Sequence, residues 1–484
     1  MAQTHTAADE APTFDRQTLW MVAAILIGGL AVLLDTTIVA VALQSLAVEL
    51  QTSVTTIQWV TTAYLLAVGV TIPLAAWAQA RWGGRRVWLA GLMVFGVGSV
   101  AASLAPSAGW LIGARAVQGV GGGILLPLMA TLPMQAAGGR ITGRMIALVT
   151  LPILIGPMLG PVIGGVILNW LTWPWLFWVN VPVLIVGFVT AWRTLPHDAP
   201  TEARPLDVVG AALLPPGLVG VLFGLSRVAS AGGFGDPEVL VPMAIGLVLV
   251  AGFAWHAVRR GGSALVDLGL LRHRPVAVGS VLLFLAGAGL FAGMFLLPLY
   301  FQVARGYSVL AAGGLMVLQG LGSLLSRPLA GYLTDTIGAR AVALVGVLVT
   351  AGATVPFALS DASTPTWWLS VALFVRGLGL GAVIIPVMAV IYNGLVGEDV
   401  AHTSVLTRVA QQVGGSFGTA LLAVVLEHGL TSRSVDAAFD RAFWWAVGLS
   451  LIAAVVVPAL PRSSVNADDE GALASAEASP APSA

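Results

Sequence analysis

Pro73-Leu74-Ala75-Ala76-Trp77-Ala78-Gln79-Ala80-Arg81-Trp82-Gly83-Gly84-Arg85 aligns without a gap on Pro328-Leu329-Ala330-Gly331-Tyr332-Leu333-Thr334-Asp335-Thr336-Ile337-Gly338-Ala339-Arg340, 255 residues further along. Each copy ends one apolar run and enters the next through a short loop holding Gly and Arg. A looser echo pairs Arg115-Ala116-Val117-Gln118-Gly119-Val120-Gly121 with Arg376-Gly377-Leu378-Gly379-Leu380-Gly381, which makes Arg376 the expected counterpart of Arg115. The chain reads as two related halves.

Composition says where those halves sit. Of 484 residues, 58% are hydrophobic and 9% charged, against about 25% charged in a soluble domain. Such a chain cannot cover a water-facing surface, and its apolar residues suffice for about fourteen spans of roughly 20 each. It reads as an all-α, polytopic membrane protein in contact with a lipid bilayer, not a soluble enzyme. The 22 basic and 22 acidic residues balance, so no basic excess attracts a nucleic acid. With no Cys, thiolate metal sites and disulfides are excluded. With no Lys, the chain cannot encode a G-x-x-x-x-G-K-[ST] phosphate loop. Energy for any transport must then come from an ion gradient or a partner subunit.

Apolar runs fall at about 18–43, 57–77, 86–105, 109–134, 143–168, 173–193, 207–228, 238–258, 275–301, 309–333, 340–359, 366–392, 402–427 and 440–461. Trp20–Leu34 followed by Ala40-Val41-Ala42 imitates a cleavable leader. The apolar stretch runs past twenty residues, so a retained first helix is expected. Many tryptophans, Trp20, Trp59, Trp88, Trp110 and Trp367 among them, stand near span ends, as in an interfacial belt. With the N-terminus inside, the inner segments hold 14 arginines and the outer loops 4. That bias places both termini in the cytoplasm. Same-orientation repeats imply a pseudo-twofold axis along the membrane normal and a cavity between the halves. The expected organisation is a tail over 1–17, a six-helix bundle over 18–193, and a linker with two inserted spans over 194–274. A second six-helix bundle covers 275–461, and a disordered cytoplasmic tail covers 462–484.

Six stretches together resemble the fourteen-spanner drug:proton antiporter branch of the major facilitator superfamily. They are Leu34 to Val39, Arg115 to Gly121, Gly156 to Gly165 (with Pro157, Gly160, Pro161 and Gly164), Trp175 to Pro182, Gly331 to Arg340, and Gln411 to Gly418. The first loop copy departs from the family pattern, with Ala76 and Ala80 where the second copy keeps Gly331 and Asp335. The resemblance implies the major facilitator fold with two extra helices between its bundles. It also implies proton-coupled export of drugs, antibiotics or toxic metabolites across the cytoplasmic membrane by alternating access.

The residues carry their own reading. Asp35 is the one carboxylate well inside an expected span. A charge at that depth turns inward, is paired, and marks an ion or substrate path. Counted from the outer ends of their spans, Asp35 and Arg115 lie at depths of roughly 12 and 9 Å. They can meet, either as a proton carrier and its modulator or as a permanent ion pair between spans 1 and 4. In span 5, Pro157 and Pro161 supply a bend, while Gly156, Gly160, Gly164 and Gly165 allow close helix approach. That combination reads as a gating helix. Gly331, Asp335, Gly338 and Arg340 read as a conformational lock on the loop between spans 10 and 11, the alternative for Asp335 with Arg340 being plain capping. Arg376 has no carboxylate beside it, whereas Arg327 and Arg408, near inner span ends, are placed to snorkel. Tyr64, Gln118, Gln319 and Arg376 are candidate contacts for a neutral or monocationic amphiphile. Gly414-Gly415-Ser416-Phe417-Gly418 fits the G-x-S-x-G pattern but lies in a span, without the strand-turn-helix setting it needs. The six His show no metal-ligand spacing, and no cofactor is expected. Alternatives to drug export are dedicated export of an endogenous lipid or secondary metabolite, and a non-transporting membrane sensor or scaffold.

Overall fold

A computed structural model describes residues 16–461 apart from 53, 137–158, 161, 197–204, 229–232, 362, 396–397 and 433. Among the described residues there is no strand. Lipid offers no hydrogen bonds, so each spanning segment must satisfy its own backbone, and a helix does so. The helices are α1 (Arg16–Glu49), α2 (Val54–Trp82), α3 (Gly84–Ser103), α4 (Ala108–Ala136), α5 (162–170), α6 (Trp175–Trp178) and α7 (Asn180–Thr194). They continue with α8 (Val208–Arg227), α9 (Pro237–Arg260), α10 (Arg274–Leu299), α11 (Val309–Ile337) and α12 (Ala339–Ala358). The last are α13 (Thr366–Tyr392), α14 (Glu398–Ser432) and α15 (Val435–Val456).

Twelve helices among the described residues are long and apolar enough to cross a membrane, α6 and α7 counting together as one. The chain is a multi-pass membrane protein. Two of the fourteen expected spans are not among the twelve. Span 5 falls mostly outside the described residues, and α11 is a 29-residue helix interrupted by polar positions. The tails expected at 1–17 and 462–484 also lie outside them, except that α1 already starts at Arg16.

Packing follows the repeat. In the first half α4 is flanked by α2 and α3, and α1 lies against α7 and α4. In the second half α13 is flanked by α11 and α12, while α10 lies against α14 and α15. The hairpin α8–α9 leans on α2 and α14. The halves touch where α14 crosses α4 and α2, and there the Ser404 hydroxyl donates to the Pro127 carbonyl at 3.2 Å. Trp59, Trp110 and Trp367 are exposed as a belt requires, but Trp88 is fully buried against the core of the first half. Its place near a span start hid that it faces inward.

The aligned loops adopt the same backbone. Gly83 has φ 86° and ψ 155°, and Gly338 has φ 93° and ψ 145°, a region closed to residues with a Cβ. Pro73 and Pro328 sit inside α2 and α11 at matching positions. Two residues past each glycine, an arginine ties down the chain in or just past the last helix of its own half. Arg85 donates to the Trp192 carbonyl at 2.6 Å, and Arg340 donates through Nε to that of Leu460 at 3.0 Å. On the other side of the second half, Asp361 closes the α12–α13 loop. Hydrogen bonds from Ser363 and Thr364 hold its carboxyl below the usual range.

The hairpin is anchored at its base. Asp207 caps α8 by accepting from the Gly210 amide at 3.1 Å, and also accepts from the Leu265 amide at 3.0 Å. His256 Nε2 lies 2.8 Å from the same carboxylate, and Arg260 lies 3.6 Å from it. Asp207→Ala unhooks α9 and the following segment from α8, and thermal unfolding in detergent should register a loss of about 1–3 kcal/mol. For the loops, Gly83→Ala and Gly338→Ala should each cost about 1–3 kcal/mol. Gly352→Ala, where a Cβ inside helix α12 meets open space, serves as the control and should cost nothing.

Candidate functional site

Asp35 and Arg115 meet in the interior of the first half. Both are fully buried. Arg115 Nη1 donates to Asp35 Oδ2 in a short ion pair. The other carboxylate oxygen accepts from Gln118 Nε2 at 2.9 Å and from Asn180 Nδ2 at 2.9 Å. Gln118 also donates to Ser99 Oγ at 2.7 Å and accepts from Arg115 Nη1 at 2.7 Å. Arg115 Nε reaches the Val60 carbonyl at 3.2 Å, and its guanidinium lies 4.1 Å from the centre of the Tyr64 ring. Five helices therefore share one polar knot: α1 gives the carboxylate, α4 the cation and an amide, α2 the aromatic face. Ser99 of α3 and Asn180 at the start of α7 complete it.

Local sequence explains the fit. On α4, Arg115 and Gln118 are three residues apart and share a face. Gly119 and Gly121 beside them let the backbones of α2 and α3 approach, for a Cβ there would meet the Tyr64 carbonyl oxygen and the Phe95 amide nitrogen at 2.5 Å. Two knot members were not singled out from the sequence as site residues. Asn180 stood inside the span 6 motif as a lone amide in an apolar run, which was its signal. Ser99 gave none.

Of the span 5 motif, Gly160, Gly164 and Gly165 are described, while Gly156, Pro157 and Pro161 lie outside the described residues. Gly160 faces Thr37 and Gly164 faces Ile38, so this glycine face presses on α1 directly after Asp35. In the second loop copy Gly331 is buried and Asp335 is exposed, while Arg340 holds Leu460 as described.

The second half is built differently. Arg376 donates to Gln319 Oε1 at 2.6 Å, to Thr354 Oγ1 at 3.2 Å and to the Gly289 carbonyl at 3.2 Å. Its match to Arg115 needs correcting. Gly377 packs on the Gln319 carbonyl and Gly379 on Thr350, as Gly119 and Gly121 pack on Tyr64 and Phe95. In that register Arg376 corresponds to Gln118, and its bond to Thr354 repeats the one from Gln118 to Ser99. Leu373 takes the place of Arg115. The expected snorkelling of Arg327 also fails: it is 2% exposed, with Nε and Nη1 buried and unpartnered. Arg408 bonds Gln411 at 3.2 Å and leaves Nε and Nη2 buried without a partner.

Of the candidate substrate contacts, Tyr64 and Gln118 are buried in the Asp35 knot, while Gln319 and Arg376 pair with each other in the opposite half. No group of three His, Cys, Asp or Glu able to hold a metal occurs among the described residues.

Two helical halves, each holding charges buried inside the membrane-crossing region, form the frame of a membrane transporter. The sequence pattern of the Major Facilitator Superfamily matches residues 25–419, and the chain belongs to that superfamily. It is similar to the multidrug resistance protein B homolog of Mycobacterium tuberculosis, 34% identical over 433 residues, covering 89% of this chain and 80% of that one. It is also similar to the lincomycin resistance protein LmrB of Listeria monocytogenes, 28% identical over 409 residues, covering 84% and 86%. Its fold is that of the human organic anion transporter MFSD10, with TM-score 0.63, 17% identity, and coverage of 91% of this chain and 99% of that one. The proton:xylose symporter XylE shares it too, with TM-score 0.64, 14% identity, and coverage of 92% and 96%.

Breaking a buried pair strands a charge, at a cost of about 3–5 kcal/mol. Arg115→Gln should lose that much in unfolding measurements in detergent. Arg115→Gln with Asp35→Asn should lose clearly less than the two single costs added. Strict additivity would show that the two charges are not coupled.

Proposed function

We propose that this protein is a proton-coupled antiporter that exports hydrophobic or amphiphilic small molecules, drugs and antibiotics among them, across the cytoplasmic membrane by alternating access. The fully buried Asp35, paired with Arg115, carries the reading. All three side-chain donors around Asp35 suit a carboxylate. A proton arriving there displaces at least one of them, and Arg115 is the donor whose charge it replaces. The same exchange in reverse returns the proton to the other side. One charge crossing 100 mV supplies about 2.3 kcal/mol, or about 40-fold in concentration, before any pH difference is added.

Around this centre we read fourteen spans, with α11 and the segment through Gly165 completing the twelve. They form two six-helix bundles, 18–193 and 275–461, with α8 and α9 inserted between them and both termini cytoplasmic. In that orientation the α4–α14 contact seals the cytoplasmic side. The glycine face of span 5 lets α1 slide during closure, and Asp335 and Arg340 hold the inner loop of the second half. Tyr64 and Gln118, buried in the Asp35 knot, and Gln319 with Arg376 in the opposite half are the candidate cargo contacts, reached once the halves rearrange. Arg327, Arg376 and Arg408 have no carboxylate partner among the described residues, which argues against a dication as cargo. The drug-resistance names of the relatives support export of drug-like compounds.

The test is dye transport in proteoliposomes under an imposed pH gradient, with and without a protonophore. Asp35→Asn should insert normally and lose gradient-driven dye accumulation by more than tenfold. Wild-type rates in that variant would remove Asp35 from the coupling.

A further inference from the structure

Arg327 is a cation that the proposed antiport cycle does not use, and its setting is unusual. It lies on α11 at 2% exposure, and two of its nitrogens, Nε and Nη1, are buried with no hydrogen-bond partner. Ser323, one turn earlier on the same face, has a buried hydroxyl oxygen that is also unpartnered. Both line a cavity of about 40 Å³ between α10, α11, α12, α13 and α15. Most of the remaining wall is apolar, including Leu282, Leu290, Val347 and Val383. The wall hydroxyls of Thr350 and Ser450 are spent on the carbonyls of Gly346 and Ala446 in their own helices.

Among the described residues no carboxylate answers this charge. None of the ion pairs among the described residues includes Arg327, and 137–158 contains no Asp or Glu. Arg376 adds a second positive charge beside the cavity, since it donates to the carbonyl of Gly289 in the cavity wall. A guanidinium does not escape by losing its proton, and a buried charge without a counter-charge is strongly disfavoured. Water would fill the hydrogen bonds and leave the charge.

The first half shows that the cavity is not a by-product of the fold. Counting 255 residues back, Ser323, Arg327 and Thr350 correspond to Val68, Ile72 and Phe95. All three are buried core residues. Where the first half packs an aromatic ring and two aliphatic side chains, the second has a cation, two hydroxyls and a space.

We propose that this cavity binds a small monovalent inorganic anion of the halide class, held by the charge of the Arg327 guanidinium with Ser323 beside it. The volume fits such an ion. One water needs about 10–15 Å³, so the space takes a halide with one or two waters. The anion does for the second half what Asp35 does for the first, except that it comes from solution.

Binding can be read without transport, so failure of the antiporter reading and failure of this one are separable. Full-length protein in neutral detergent is heated while gluconate is replaced by chloride or bromide at constant ionic strength, and unfolding is followed by tryptophan fluorescence. Wild type should show a saturable rise of several degrees with either halide, and Arg327→Gln should show none. Equal unfolding temperatures in gluconate and halide, or an unchanged halide response in Arg327→Gln, would overturn the site. Should that variant not fold, crystals of the wild type grown in bromide decide the matter. An anomalous peak within hydrogen-bonding distance of Arg327 supports the site, and a cavity without one refutes it.

Discussion

A carboxylate and a guanidinium withdrawn from water into a helical bundle impose conditions on everything around them. Their mutual attraction roughly offsets the cost of desolvating both, and well-packed apolar residues in their place are often as stable or more so. The pair between Asp35 and Arg115 is therefore tolerated only because the remaining hydrogen-bonding capacity is met. Gln118 and Asn180 take one carboxylate oxygen, the Val60 carbonyl takes Nε, and the Tyr64 ring covers the guanidinium face. Each partner comes from a different element, so the pair fixes the relative positions of α1, α2, α4 and α7. An arrangement so demanding, and so easily replaced by leucines if stability were its only purpose, points to use of the charge.

Part of this is legible in the sequence. The depths of Asp35 and Arg115 follow from counting residues along helices of opposite direction, and helix rise is invariant enough to bring the two together on paper. The loop repeat was legible because Gly83 and Gly338 answer to a backbone constraint that no other residue meets. The register of α13 against α4 was not. A shift of three residues keeps a helix on nearly the same face, so Arg376 matched Arg115 by pattern although its contacts make it the counterpart of Gln118. Arg327 was misplaced for a related reason. The apolar run stops near 333, but α11 continues to Ile337. That puts Arg327 ten residues from the helix end, or about 15 Å, beyond the reach of its side chain. Hydropathy marks where lipid contact ends and not where the helix does.

The two halves have thus diverged in charge while keeping the same frame. In the first, the interior cation has a partner built into the chain. In the second, the place that would hold a carboxylate offers the Gly289 carbonyl to Arg376, and Arg327 faces an open space. Divergence at these positions leaves the glycine contacts of α4 and α13 intact, because those depend on backbone approach and not on what the polar side chains do.

Helix α4 joins the two features that the proposed alternating access has to connect. Arg115 lies on it, and twelve residues further, about 18 Å along the axis, its Pro127 carbonyl accepts from Ser404 of the opposite half. Between them the glycines at 119, 121 and 123 keep α4 in backbone contact with α2 and α3, so those helices move with it. If Asp35 takes up a proton as proposed, Arg115 loses its strongest partner, and a guanidinium that remains charged must find another. The nearest way to do so is a displacement of α4 relative to α1, and any such displacement is carried to the α4–α14 contact that separates the halves. Proton binding and the seal between the halves are on this reading two ends of one rigid element. Local chemistry at Asp35 can then change access to a cavity that the carboxylate itself does not line.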